Sequence, residues 1–448
     1  MLRWSARSPA RRSRNVGRAL SALGWSLALG AVLPGPGAAQ DTVGTALRPV
    51  TRADAVRIAL ERGSAGAIGR ADTDAARARL RIARAFPNPA LAASYTRSVP
   101  QLHATVDFPL DLMYLRGLRV GGSRAALDAA RLQFAYIQAT VRYDVDTAYG
   151  GALAAAERAH LSGQSARDAD SLVTIARRQR DAGYTSDLDV DLAAINAGQQ
   201  VNVAATDSLV AVTALLALQN LMALPSDRPL ISLAESLDDL IAAAGAVVSD
   251  SALAADAGRP PPAGAGGPAA AGSRFVPLPV AAAAATFQAQ DLALRLARRR
   301  GALVPAIQLG VEGRDPTGAD KGVLPVVGVS FPLPLFNRFH GEIALAEAGR
   351  LRAGAQLEAA RRTADAAIAT ARRQISQARA RLARERALLA TARVVARKAL
   401  IAYQEGASAL PAVLQAQQTA RAVLAQYVSD AVAVSNAAAA FRLSTTSP

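Results

Sequence analysis

The sequence predicts a mainly α-helical chain with four strands of a length that suits a membrane β-barrel, built as two copies of one unit. Each unit is a strand pair followed by a long antiparallel helical hairpin. Three observations lead there. The Phe-Pro-Leu core of "VDFPLDLMYL" (residues 106–115) returns in "VSFPLPLFNR" (residues 329–338), which places Pro109 and Pro332 223 residues apart. Gly183 in "RQRDAGYTSDLDV" and Gly406 in "AYQEGASALPAVL" are also 223 apart, so 74 residues separate proline from glycine in both halves. A spacing kept over that distance marks an internal duplication. Between the proline and the glycine of each half, apolar residues recur every seven positions, the pattern of a narrow helical seam.

Residues 1–39 read as an export signal. Arg3, Arg7, Arg11, Arg12, Arg14 and Arg18 form a charged leader, residues 19–33 an apolar stretch, and "PGPGAAQD" a breaker with small residues suited to cleavage near Ala39 or Gln40. The apolar stretch is short for a membrane-spanning helix, which makes an uncleaved anchor the lesser alternative. After residue 40 no eighteen-residue apolar run occurs, so later membrane contact falls to strands or an amphipathic surface. The formal net charge is +16, and removing the six leader arginines leaves +10. The remaining arginines are spread among acids along helical segments, which favours solvated helix faces over a nucleic-acid patch. The chain has no cysteine, which excludes disulfides, thiolate metal sites, a cysteine nucleophile and a lipid-anchored mature N-terminus.

The first repeat is expected over residues 40–240: a helix, a strand pair at about 89–109, and a hairpin with its tip near 183. The second is expected over 280–448, with a strand pair at about 303–332 and a tip near 406. Between them, residues 241–279 are rich in Pro, Gly and Ala and read as a flexible linker. Pro89 and Pro305 differ by 216 rather than 223, so the strand region has gained or lost residues between halves.

Strands are read from alternation. Leu102, Ala104, Val106 and Phe108 alternate with His103, Thr105 and Asp107, while Ile307, Leu309 and Val311 alternate with Gln308 and Glu312. Val323, Val327, Val329 and Phe331 share a face opposite Gly328 and Ser330, and residues 89–98 supply the least regular member. Strands of about ten residues are long enough to cross a tilted path through a bilayer. Periodicity alone serves soluble hairpins capping a helical bundle equally well. Four spanning strands cannot close a barrel, and an open edge in lipid leaves backbone groups unpaired. Several chains must therefore share one barrel if the strands span.

Helices follow each strand pair. From 342 to 405 there is no proline, and Ile368, Ile375, Leu382, Leu389, Ala396 and Tyr403 repeat every seven residues. Leu127, Phe134, Val141, Ala148 and Ala155 do the same in the first half. Sixty-odd helical residues make a rod of roughly 96 Å at the helical rise. The glycines suit helix-ending positions, with Thr185, Ser186 or Ser408 as caps of the return helices. A proline that ends a strand withholds a ladder donor and fixes φ for a turn. Pro109, Pro332 and Pro334 are therefore expected at the joint between barrel and rods, although Pro334 has Asp111 as its counterpart.

These residues resemble the outer-membrane efflux proteins of the TolC family, from "VTRADAVRIALERG" at Val50 to "AAAAFRLS". The motifs are "DFPLDLMYLRGLRV", "VGVSFPLPLFNRFHGEIALAEA", "RDAGYTSDLDV" and "YQEGASALPAVLQAQQTA". The "PLDL...RGLRV" phrase looks most like the branch serving metal-cation and similar resistance-nodulation-division (RND) pumps. The resemblance implies a homotrimer in outer-membrane lipid, with a twelve-stranded barrel of four strands per chain and a periplasmic α-barrel tunnel. It implies a periplasmic adaptor (membrane fusion) protein docked at the tips, here Gly183, Tyr184, Thr185, Gly406 and Ser408, and an inner-membrane pump. It also implies acidic residues ringing the entrance just past the tip glycines. Asp189 matches that pattern, whereas Ala412 and Gln415 stand where some members carry aspartates. Asp187, Asp189 and Asp191 form an alternative acidic cluster, of which at most two can share a helix face.

No catalytic, cofactor or metal site is expected. His103, His160 and His340 lack metal-ligand spacing, and no phosphate loop, nucleophile elbow or His-Glu metal helix appears. The function expected is a passive exit duct and not an enzyme. The alternative is a secreted coiled-coil structural or adhesive protein without a membrane barrel.

Overall fold

The computed structural model describes residues 47–98, 100–110, 113–256, 276–300, 305–313, 322–331 and 339–448. The expected export signal, Pro332, Pro334 and Asp111 lie outside these residues. In chain order the elements are β1 (Arg48–Val50), α1 (Arg52–Arg62), α2 (Ser64–Arg84), β2 (Ala90–Tyr95), β3 (Leu102–Pro109), α3 (Met113–Asp181) and α4 (Asp187–Leu221). Then follow β4 (Ile231–Leu233), α5 (Leu237–Asp256), α6 (Leu278–Arg300), β5 (Ala306–Gly313), β6 (Leu324–Ser330), α7 (His340–Gln404) and α8 (Leu410–Thr445).

The duplication governs this order. Return helices α4 and α8 start 223 residues apart, at Asp187 and Leu410. Rods α3 and α7 hold 69 and 65 residues, about 100 Å at 1.5 Å per residue. Ile375, Leu382, Leu389 and Tyr403 of the seven-residue repeat on α7 are buried, with Ala371 and Ala378 beside them.

Each long rod is accompanied by two shorter helices. Helix α3 packs on α4, α8, α2 and α6, while α7 packs on α8 and α6. The short helices meet end to end at mid-rod. The Leu278 N–H at the start of α6 donates to the Thr446 carbonyl past the end of α8, at 2.9 Å. At the start of α2, a Cβ added to Gly63 would lie 3.6 Å from the Leu221 carbonyl that ends α4.

That waist carries the largest core. Val50, Ala55, Val56 and Ala59 pack with Val145, Tyr149, Leu153, Leu218, Met222, Ile231 and Leu240. Each fully buried large apolar side chain contributes about 1.5–3 kcal/mol. Strands β1 and β4 pair in parallel beside it, Pro49 opposite Ser232. The Tyr149 hydroxyl donates to the Val50 carbonyl (3.0 Å) and accepts from Glu235 N–H (3.3 Å). The Gln219 amide donates to the carbonyls of Pro225 and Arg228 and accepts from Leu230 N–H, which fixes the loop before β4. Asp146 is buried between Arg442 (3.0 Å) and Arg52 (3.8 Å), tying the middle of α3 to both α8 and α1. Burial pushes its carboxyl up, and Arg52, Arg442 and Arg142 offset part of that rise.

Two expectations are corrected. The segment read as a flexible linker from residue 241 begins as helix, since α5 runs to Asp256. Its alanines let it lie close on α8, with Ala244 buried against Ala378, Leu382, Ala431, Val434 and Ala438. The membrane-length strands are shorter than ten residues, at 6, 8, 8 and 7.

All four form one antiparallel sheet in the order β2-β3-β5-β6, so the seam between β3 and β5 joins the two repeats. The register sets Val106 opposite Leu91 and Leu309, and Leu309 opposite Val327, giving one apolar face. That face is exposed: Leu91, Tyr95, Leu102, Phe108, Leu309, Val311, Val327 and Val329 all lie open, Val327 to 76%. The opposite face carries Ser94, His103, Thr105, Asp107, Gln308, Glu312 and Ser330. β3 ends at Pro109.

Candidate functional site

The two hairpin tips reverse the chain by one backbone device. In the first, Tyr184 N–H donates to the Gln179 carbonyl and Gly183 N–H to that of Arg180, both at 2.8 Å. In the second, Ala407 N–H donates to Ala402 (2.8 Å) and Gly406 N–H to Tyr403 (3.0 Å). This is the Schellman pattern, which requires a left-handed residue after the helix. Gly183 has φ of +81° and Gly406 +75°. No atom lies within 4 Å of a Cβ added at either, so the backbone conformation and not crowding selects glycine.

The side chains then diverge. Ser186 caps α4 in a capping box: its hydroxyl accepts from Asp189 N–H and the Asp189 carboxylate accepts from Ser186 N–H, each at 3.4 Å. The Thr185 hydroxyl donates to the Ala176 carbonyl at 3.4 Å. In the second tip the cap is Ala409, without a side-chain bond, and not Ser408; Pro411 sits in the first turn, where its missing N–H costs nothing.

The predicted acidic cluster is divided. Asp187 and Asp191, four residues apart on α4, are exposed, and Asp187 lies 3.6 Å from Arg180. Asp189 is turned inward and half-buried. Tyr184, Ala412 and Gln415 are all exposed.

Three residues that sequence reasoning did not single out join the tips into one unit. Tyr403 is buried among Leu172, Val173, Ala176, Val190, Ala193, Leu410 and Val413, drawn from all four helices of the two hairpins. The Gln179 amide of α3 donates to the Tyr403 carbonyl of α7 at 2.9 Å. Yet the Tyr403 hydroxyl, the Gln179 Oε1 and the Asn196 Nδ2 are buried with no hydrogen-bond partner in the chain. Burial, with the Asp189 carboxylate adding to it, pushes the Tyr403 hydroxyl up. In sequence Tyr403 reads only as one more member of the seven-residue repeat.

Away from the tips, α4 is unusual. It carries four aspartates and no base, a mean hydropathy of 1.8 over eighteen residues, and exposed Leu188, Ile195, Val201, Val203, Leu209, Val210 and Val212. Helix α7 is the reverse, with twelve arginines and one lysine against five acids. Among the described residues no three His, Asp or Glu side chains group as metal ligands.

The described fold, a sheet on long helical hairpins, is similar to that of solved outer-membrane channel proteins. CusC, solved in a study of folding and transmembrane channel formation, matches 90% of this chain and 94% of its own, at 15% identity and a TM-score of 0.69. VceC, an outer membrane protein of Vibrio cholerae, matches 88% and 96% at 15% identity and a TM-score of 0.67. A membrane protein from Pseudomonas aeruginosa matches 90% and 92% at 18% identity and a TM-score of 0.68. No protein-family model matches the chain, and no curated protein matches it in sequence. At these identities the likeness is one of fold, and it bears out a mostly helical chain with few strands, shared with outer-membrane channel proteins.

Proposed function

We propose that the chain is the outer-membrane component of a tripartite efflux system, a passive trimeric exit duct. Substrates reach it from an inner-membrane pump of RND type through a periplasmic adaptor. The sheet carries this reading. Its apolar face is exposed across all four strands, its other face carries the polar side chains, most of them on β3 and β5, and β2 and β6 are its edges. In lipid, each unpaired backbone group at an edge costs several kcal/mol. Pairing β2 of one copy with β6 of the next removes both edges and turns the apolar face to lipid. Three copies give twelve strands, enough to surround a lumen. A secreted coiled-coil protein would leave that apolar face in water, an exposed patch that monomers rarely carry. The apolar, acidic α4 and the basic α7 are complementary surfaces, which also favours assembly of identical copies.

The tips are the proposed adaptor-docking end, through Gly183, Tyr184, Thr185, Gly406 and Ser408. Their buried unpaired polar atoms make them the part of the rods with most to gain from a partner. Asp187, Asp189 and Asp191, with Ala412 and Gln415, form the entrance, and Asp187 and Asp191 supply its exposed charge. The joint between barrel and tunnel lies at Pro109 and, in the second repeat, at Pro332 and Pro334. Opening follows from neighbouring hairpins untwisting, and transport needs no covalent step.

Outer-membrane fractionation and heat-modifiable migration in gels test the assembly. A trimeric, detergent-requiring species is expected, and recovery of the mature chain as a soluble monomer without detergent overturns the duct. For the entrance, Asp187→Asn combined with Asp191→Asn is expected to weaken cation block of single-channel conductance, while an unchanged block places the filter elsewhere.

A further inference from the structure

The four strands of the sheet hold few ionisable side chains: Tyr95, His103, Asp107 and Glu312. Tyr95 lies on the apolar face opposite Leu102. The other three share the polar face, and all three belong to β3 and β5, the seam between the repeats. His103 and Glu312 are direct partners in that register, with Nδ1 2.9 Å from Oε1. The side chains are 27% and 28% exposed, open enough to exchange protons with water yet close enough to act on each other. Both sit one residue inside the strand ends remote from the helices, next to Leu102 and Gly313.

Among the described residues the surroundings are nearly free of other titratable groups. β2 presents Ser94 opposite His103, and β6 presents Leu324 opposite Glu312. The Thr96 hydroxyl lies 3.4 Å from His103 Nε2. Asp107 stands four residues along the same face, opposite Gln308, with one carboxylate oxygen buried and unpartnered. Arg97, in the turn after β2, is the other charged group at this end among the described residues.

We propose that the His103–Glu312 pair sets the ion preference at the outer mouth of the duct and changes it with external pH. This rests on the trimeric duct reading, which turns the polar face to the lumen and the helix-remote end outward. Imidazole is the side chain whose ordinary titration falls between pH 5 and 8. With a neutral imidazole, each copy gives the lumen wall two carboxylates, Glu312 and Asp107. Protonation of His103 cancels one of them and converts the 2.9 Å contact into a charge-assisted bond across the seam. Low-dielectric walls focus the field of fixed charges in a narrow passage, so this change is felt by passing ions.

The test is the reversal potential of the full mature protein in planar bilayers under a KCl gradient, with each side acidified in turn from about pH 8 to pH 5, a span that brackets imidazole titration. Wild type is expected to show a weaker cation preference when the outer side is acidified. His103→Gln is expected to keep the pH 8 preference and lose the pH response. Glu312→Gln is expected to show at pH 8 the weaker preference that wild type shows only in acid. Each variant is first checked for heat-modifiable trimer. A pH response undiminished in His103→Gln overturns the proposal while leaving the duct intact. Absence of any conductance in wild type overturns the duct reading, and this inference with it.

Discussion

Two buried tyrosines separate the waist from the tips. Tyr149 at mid-rod both donates and accepts a hydrogen bond, joining β1 to the segment before α5. Tyr403 at the tip is as deeply buried, at 2% exposure, and its hydroxyl has no partner. The contrast extends to their neighbours. At the waist Gln219 satisfies every polar atom of its amide, and Asp146 holds two arginines. At the tip Gln179 leaves its oxygen, and Asn196 its nitrogen, unpaired. Each such atom costs about 1–3 kcal/mol in a buried site. Among the described residues the waist has one such atom, Asn436 Oδ1 beside Gly150, against three near the tips, so the tips hold the larger penalty that rearrangement or a partner relieves.

The largest expected effect is at the waist. Asp146→Ala leaves Arg52 and Arg442 facing each other and is expected to cost about 3 kcal/mol, toward the low end for a broken buried pair because both arginines reach water. The midpoint of urea unfolding measures it, and an unchanged midpoint removes the distinction between the two regions. Next come the tip glycines. Gly183→Val or Gly406→Val forces a β-branched residue to positive φ, at about 1–3 kcal/mol of local strain. Efflux complementation is expected to fail while the trimer persists, and normal resistance in both variants counts against docking there.

The tyrosines themselves give the sharpest comparison. Tyr149→Phe strands the Glu235 N–H and removes one of the two bonds to the Val50 carbonyl, which keeps that from Ala234 N–H, and is expected to lower stability by about 1–3 kcal/mol. Tyr403→Phe removes a hydroxyl that has no bond to lose, so neutral or slightly raised stability is expected. Equal losses in the two variants would erase the contrast. The smallest effect is one of pH. Burial raises the folded pKa of Asp146 above 3.8, so the folded state holds that proton more tightly than the unfolded chain. Its contribution to stability is full below the unfolded value and lost as pH rises through the folded one. Asp146→Asn should therefore lack a small gain that wild type shows on acidification toward 3.8, read by urea midpoints across that range.

Much of this architecture is legible because the duplication repeats its signals. The seven-residue stripe finds the rods, and Ile375, Leu382, Leu389 and Tyr403 are among the buried residues of α7. Equal glycine spacing finds both tips, and strand alternation finds the four-stranded sheet. What escapes depends on contacts between distant segments. β1 and β4 are three residues each and pair across more than 180 positions, too short for a periodic signal. Helix α5 hides in a composition that also suits a linker, because only packing against α8 tells alanine in a helix from alanine in a coil. Asp189 follows Ser186 at capping-box spacing, so its structural duty was readable, but its approach to Tyr403 was not. The His103–Glu312 contact joins residues from different repeats and follows only from the register.

The end-to-end meeting of short helices at the waist has a mechanical consequence. Of the rods that run from sheet to tip, α3 and α7 are unbroken, while α4 with α2 and α8 with α6 are two-piece, the latter joined through Leu278 and Thr446. Torque applied at the tips meets hinges in every second member before it reaches the strands. Rotation at the tips is then partly decoupled from the sheet, as a shaft with a flexible coupling turns without tilting its bearing.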